Sequence, residues 1–173
     1  MQKVSQYIIA FIAAIIFVFI LNVFIIQGAV VKQQNMAPVL QKNDRVIVNK
    51  VKVTFNILQH GDVVMFRQHG DLKFSRIVGM AGESVEVKQG QLYRDDRQIK
   101  APYAKNIKTD FQLRNLPHSE GDIIPPDKYL VLSDDSRLNK QSQSYQLIDK
   151  KDIIGDVNLT YYPFHHFRYN YER

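Results

Sequence analysis

Residues 7–26 read YIIAFIAAIIFVFILNVFII, twenty residues with no charge and one strongly polar member, Asn22. Twenty helical residues rise about 30 Å, the thickness of a bilayer's hydrocarbon core. A helix packed in a soluble core shows a polar stripe, and this run has none. A cleaved export signal has a shorter apolar region ending in a small-x-small site. Here the run is longer, and Gln27-Gly28-Ala29 is a poor match to such a site. The expectation is an uncleaved, single-pass transmembrane anchor over 7–26, in contact with a lipid bilayer. It leaves a short tail at 1–6 and a folded domain at 27–173. Charge does not orient it: Lys3 and the amino terminus precede the span, while Lys32, Lys42 and Arg45 follow it.

The chain of 173 residues has room for one ordinary domain beyond the anchor. It has no cysteine, which excludes disulfides, thiolate metal sites and a cysteine nucleophile. The net charge of +6 is spread from Lys32 to Arg173 with no dense basic run. It reads as solvated surface charge, and no nucleic-acid partner is expected. His165 and His166 are adjacent, so on a strand they would point to opposite faces and make a poor metal pair. No metal or other cofactor is expected.

After the apolar run the pattern becomes β-like. In DRVIVNKV, Val46 and Val48 share one face and Arg45, Ile47 and Asn49 the other. GDVVMFRQ follows the turn pair Gly61-Asp62, and LKFSRIVGMAGESVEVKQGQLYRDDRQI holds three strand-like pieces punctuated by Gly79, Gly82, Gly90 and Asp95-Asp96. KYLVLSDD, entered through Pro125-Pro126, and DIIGDVNLTYYPF, ended by Pro163, supply two more strands. Residues 100–122 are polar, with Pro102 and Pro117, and read as a long irregular excursion. The expected fold is mainly β: one antiparallel barrel-like or sandwich-like domain on a membrane anchor. Near the C-terminus, Tyr161, Tyr162, Phe164, Phe167, Tyr169 and Tyr171 form an aromatic cluster. It would suit either a membrane interface or the cover of a core.

The order of these pieces is specific. An apolar anchor precedes the Met-x-Pro turn Met36-Ala37-Pro38, then DRVIVNKV, GDVVMF, RIVGMAGE, YLVLSDD and IIGDV…YYPF. From the anchor to Phe164 the chain resembles the type I signal peptidases, the S26-type Ser–Lys peptidases, in their compact bacterial form. The resemblance implies a β-rich extracytoplasmic domain at the cell membrane, a cytoplasmic N-terminus and a role in protein secretion. Members cleave signal peptides with a serine nucleophile and a lysine base. The lysine must be neutral to take the proton, so its pKa must fall through burial. Donors must hold the oxyanion.

Laid on this chain, the nucleophile motif Ser-Met-x-Pro matches Asn35-Met36-Ala37-Pro38-Val39-Leu40, with Asn35 in the serine's place. The general-base motif Lys-Arg…Gly-x-x-Gly matches Ser75-Arg76-Ile77-Val78-Gly79-Met80-Ala81-Gly82, with Ser75 in the lysine's place. A late motif survives as Asp134 and Ser142, without its glycine, asparagine, arginines and second aspartate. The resemblance therefore implies a catalytically inactive homologue, a membrane-anchored pseudoenzyme with no catalytic residue. Its peptide groove would be walled by Met36, Val39, Leu40, Phe74 and Ile77 and would take signal peptides or exported preproteins along a sheet edge.

Two other readings stay open. Ser75 could pair with Lys73, two residues earlier and about 7 Å away on the same strand face, to give relocated chemistry. Alternatively, the aromatic C-terminus could make this a non-enzymatic interaction protein. Repressor-type Ser–Lys peptidases share the core architecture, but the anchor and the absence of a DNA-binding segment argue against that branch.

Overall fold

The computed structural model describes residues 2–107, 110–117, 119, 121–135, 145–169 and 171, leaving aside the side chains of 2, 3, 5, 21–23, 105 and 106. The N-terminal helix α1 (Gln2–Phe24) is 23 residues long. It ends earlier than the apolar run, because Ile26 already belongs to a strand, β1 (Ile26–Val30), paired with Asn49 of β2 (Arg45–Asn49). Ile8, Phe11, Ile15, Phe19 and their neighbours stand exposed on every side of α1. Among the described residues no helix is long and apolar enough to cross a membrane; Asn22, the polar member of the run, has its side chain outside them.

Among the described residues the domain is built from two antiparallel sheets. After β2 and the short helix α2 (Val51–Thr54) come β3 (Val63–Gln68) and β4 (Asp71–Gly79). These form a hairpin closed by His69-Gly70, both with positive φ (51° and 87°), the backbone a two-residue hairpin loop requires. The same device, at Gln89-Gly90 and Asp95-Asp96, links β5 (Val85–Lys88), β6 (Gln91–Arg94) and β7 (Arg97–Gln98). Around 100–122 the described residues are less irregular than expected. They form 3-10 turns and β8 (Phe111–Gln112), which completes the small sheet β7-β6-β5-β8.

The large sheet gains β9 (Lys128–Leu132), β10 (Tyr145–Asp149), β11 (Ile153–Tyr162) and β12 (Arg168–Tyr169). Its order is β1-β2-β11-β3-β4-β9-β10, with β12 on β11. Strand β11 spans both halves because Gly155 lets the carbonyl of Asn49 approach where a Cβ would stand.

Alternation along β3 and β4 sends side chains to two cores. On one face Val63, Met65 and Phe74 pack with Val46, Val48, Met36 and Leu40. On the other, Val64, Phe66 and Ile77 pack with Val131, Ile148 and Ile153. A third cluster joins the small sheet to the end of β4, around Val78, Leu92, Phe111 and Leu130. Each large side chain so enclosed contributes about 1.5–3 kcal/mol.

The aromatic C-terminus divides. Tyr171 is buried in the Met36 core, its hydroxyl hydrogen-bonded to that of Thr160. Phe164, Phe167 and Tyr169 are exposed. His165 and His166 lie in a 3-10 turn rather than a strand, ring against ring at 4.5 Å, and His166 Nδ1 is 3.5 Å from Asp44 Oδ1.

Candidate functional site

Asn35 opens a compact turn. The Ala37 N–H donates to Gln34 O (3.2 Å), the Leu40 N–H to Met36 O (2.8 Å), and the Ala37–Pro38 bond is cis. Met36 and Leu40 are fully buried and tie the turn to the sheet, which sets Asn35 against β4. There the Asn35 carboxamide Nδ2 donates to the carbonyl of Phe74 (2.8 Å). The hydroxyl of Ser75 donates to the same carbonyl (2.7 Å). The fold thus brings the two positions together, although they are distant in sequence, and both side chains spend a donor on one backbone oxygen.

The late segment closes the third side. The Asp135 N–H donates to the Asn35 carbonyl (3.0 Å), and the Ser133 hydroxyl donates to that same oxygen. Ser136, Ser142 and the rest of 139–143 lie outside the described residues. One atom remains unmatched: Asn35 Oδ1 is buried and has no hydrogen-bond partner among the described residues.

Beside this cluster sits Arg76, buried to 2% exposure. Its Nε donates to Asp134 Oδ1 at 2.9 Å and its Nη2 to Oδ2 at 2.5 Å, a two-pronged pairing. Its Nη1 donates to the carbonyls of Gly61 (2.7 Å) and Tyr171 (2.6 Å). The Tyr103 ring lies 5.5 Å from the guanidinium. One cation therefore joins β4, the late motif, the turn before β3 and the C-terminus.

What this arrangement can do is limited. A neutral amide is not a nucleophile for acyl transfer, and among the described residues no basic side chain is hydrogen-bonded to Ser75. Lys73 shares its strand face, but its Nζ donates to Gln68 Oε1 at 2.6 Å, across the hairpin, and the Ser75 hydroxyl points its proton at the Phe74 carbonyl. A Ser75–Lys73 pair is not assembled.

The residues expected to wall a groove are mostly core. Met36, Leu40 and Ile77 are fully enclosed and Phe74 is 1% exposed, while Val39 alone is half-buried. Ile77, moreover, faces the opposite core from the other four, because odd- and even-numbered residues of β4 alternate between faces. Sequence reading took apolar neighbours of a motif for the walls of a groove. Packing made them core, Phe74 and Ile77 through alternation along β4 and Met36 and Leu40 because their turn lies against the sheet.

These pieces now decide the family: a Met-x-Pro turn, a β4 position thirty-nine residues from the bond it receives, and an Arg–Asp pair all converge. Residues 4–162 match the family described as signal peptidase, peptidase S26. The chain belongs to the signal peptidase S26 family. A protein named inactive signal peptidase IA from Staphylococcus aureus (strain COL) is 51% identical over 165 residues, 95% of this chain and 95% of that protein. Signal peptidase IB from S. aureus (strain MRSA252) is 32% identical over 182 residues, 98% of this chain and 95% of that protein. A crystal structure of a signal peptidase I from Enterococcus faecalis aligns with a TM-score of 0.50 at 24% identity. It covers 57% of this chain and 95% of that one, and it speaks to the fold alone. This S26 member is therefore a homologue both of proteins named inactive and of one named as a signal peptidase.

Sequence reading missed the Ser133 hydroxyl, the Tyr171 carbonyl and the Phe74 carbonyl. Backbone acceptors carry no residue signature, so only the fold exposes them. It also missed a second charged cluster. Lys52 of α2 reaches Asp62 (2.9 Å) and Asp156 (3.4 Å), both carboxylates buried. Burial pushes Asp156 up to about 6, against the opposing pull of Lys52, and the Asp62 charge raises it further. Asp62 and Asp156 lie in the GDVV and IIGDV pieces of the sequence.

Proposed function

We propose that this chain is a catalytically inactive signal peptidase homologue, anchored in the cell membrane by α1 with its β domain on the extracytoplasmic side. The observation that carries the inactivity is the shared Phe74 carbonyl: the two positions of the family dyad hold an amide and a hydroxyl, and both donate to it. The anchor rests on the uncharged apolar run of the sequence at 7–26 and on the apolar side chains exposed along α1. The side assignment rests on the family resemblance. A signal peptide or exported preprotein would dock main chain to main chain along a sheet edge, with Met36, Leu40 and Phe74 behind that edge rather than lining it.

The test uses the full-length chain in detergent with a preprotein as substrate. The expected result is no cleavage, by the parent or by Ser75→Ala. Cleavage by the parent that Ser75→Ala abolishes would overturn the reading in favour of relocated chemistry. The double variant Asn35→Ser, Ser75→Lys is expected to regain at most weak cleavage, because the late motif has also lost residues.

A further inference from the structure

Strand β4 has one paired and one partly free edge. The Ile77 N–H donates to Asp62 O (2.9 Å), and Ile77 O accepts from the Gly61 N–H (2.8 Å), so the odd-numbered backbone groups of β4 point toward β3. Alternation then turns the even-numbered groups, at Leu72, Phe74 and Arg76, to the other side. That side is covered by β9 only from the pair Arg76 and Leu132 onward. Among the described residues no strand pairs with β4 there at 71–75. The Phe74 carbonyl is therefore an acceptor that an added strand would use.

Asn35 stands in that place. Its Nδ2 donates to Phe74 O as a neighbouring strand's N–H would, and its own carbonyl accepts from the Asp135 N–H and the Ser133 hydroxyl on the continuation of β9. One residue bridges the gap where β4 and β9 part. A carboxamide is the side-chain counterpart of a peptide group, with one donor end and one acceptor end. Here the donor end is used and the acceptor end, Oδ1, is buried without a partner among the described residues. A buried acceptor left unmatched is unfavourable, so the contact is one that competition can reverse.

We propose that the Asn35 carboxamide is a displaceable internal plug, occupying the Phe74 carbonyl in place of a bound peptide's N–H and holding the docking edge of β4 closed. An incoming extended peptide would donate its own N–H to Phe74 O. The Asn35 side chain would swing away and its Oδ1 would regain a donor from water. This rests on the reading of the chain as a peptidase scaffold that no longer cuts.

The experiment titrates the full chain in detergent micelles with a short fluorescein-labelled peptide of alternating alanine and glutamine, followed by anisotropy. Asn35→Ala is expected to bind roughly three- to tenfold tighter than the parent, the span of one net hydrogen bond. Asn35→Asp keeps the size but cannot donate, and is expected to bind tighter as well; it stands in if the alanine variant does not fold. On adding peptide to the parent, exchange of the Asn35 side-chain NH2 protons, read by 15N NMR, is expected to accelerate. Equal or weaker binding by folded variants, or no binding by any of them, overturns the plug. Mass spectrometry of the same mixtures separates the two claims. Peptide cut by the parent would sink the inactive reading and leave the plug standing, whereas equal binding of uncut peptide would do the reverse.

Discussion

Ser75 and Arg76 are neighbours on β4, yet they belong to regions held together differently. At Ser75 the bonds are neutral: two donors share the Phe74 carbonyl, one of them from Asn35, and one acceptor is unmatched among the described residues. At Arg76 a buried charge meets a buried carboxylate and two backbone carbonyls, linking segments up to 95 residues apart. The difference teaches what each position asks of the fold. At Ser75 the fold asks only for a small polar side chain that satisfies a nearby group. A buried guanidinium leaves Asp134 uncompensated if it is removed, and the desolvation cost already incurred is then not offset.

The comparison breaks most easily at its strong end. Arg76→Met is expected to lower the free energy of unfolding by about 3–5 kcal/mol, as for other halved buried ion pairs, measured by denaturant titration. A loss below about 1 kcal/mol would place Arg76 with ordinary surface pairs.

A second charged cluster sharpens the point, since Lys52 there serves two buried carboxylates and the balance is unfavourable to ionisation. Asp156 is raised from its ordinary 3.8 to about 6. The folded state therefore holds a proton that the unfolded state releases between those values. Its contribution to stability is full below pH 3.8 and is lost as pH rises through about 6. The difference between the parent and Asp156→Asn should therefore change by on the order of 2 kcal/mol across that window, read from melting at several pH values. Parallel curves would show that Asp156 is ionised throughout.

At the weak end, Asn35→Ala is expected to cost about 1 kcal/mol or less, because losing the Nδ2 donor is partly offset by removing the unmatched Oδ1. Ser75→Ala should change stability by less than about 0.5 kcal/mol, since the Phe74 carbonyl keeps its Asn35 donor. A loss at Ser75 as large as that at Arg76 would dissolve the contrast between the two regions.

Much of the fold is legible in the residues themselves. The turns at Gly90 and Asp95-Asp96, the alternation in DRVIVN, and the stop at Pro163 are local chemistry. Strands β1 and β10 are not legible in this way. Residues 26–30 continue the apolar run without a break in composition, and Tyr145–Asp149 follows a stretch with no turn signal strong enough to isolate it. Both are strands because a partner, β2 or β9, offers a free edge. The candidate site divides in the same way. Asn35 and Ser75 are legible because the residues flanking them resemble the family's motifs. The roles of Met36, Leu40, Phe74 and Ile77 are not, because burial depends on which face of the sheet a neighbour covers.

The sequence by itself determined that this chain carries the turns and strands of an S26 domain, with an amide at position 35 and a hydroxyl at position 75, since residue identity decides what chemistry a side chain can perform. Only the tertiary structure decided that both donors meet at one carbonyl of β4, and that Asn35 bridges the gap to β9. That convergence joins positions 35, 74 and 133–135, and long-range packing alone brings such distant backbone groups within hydrogen-bond reach.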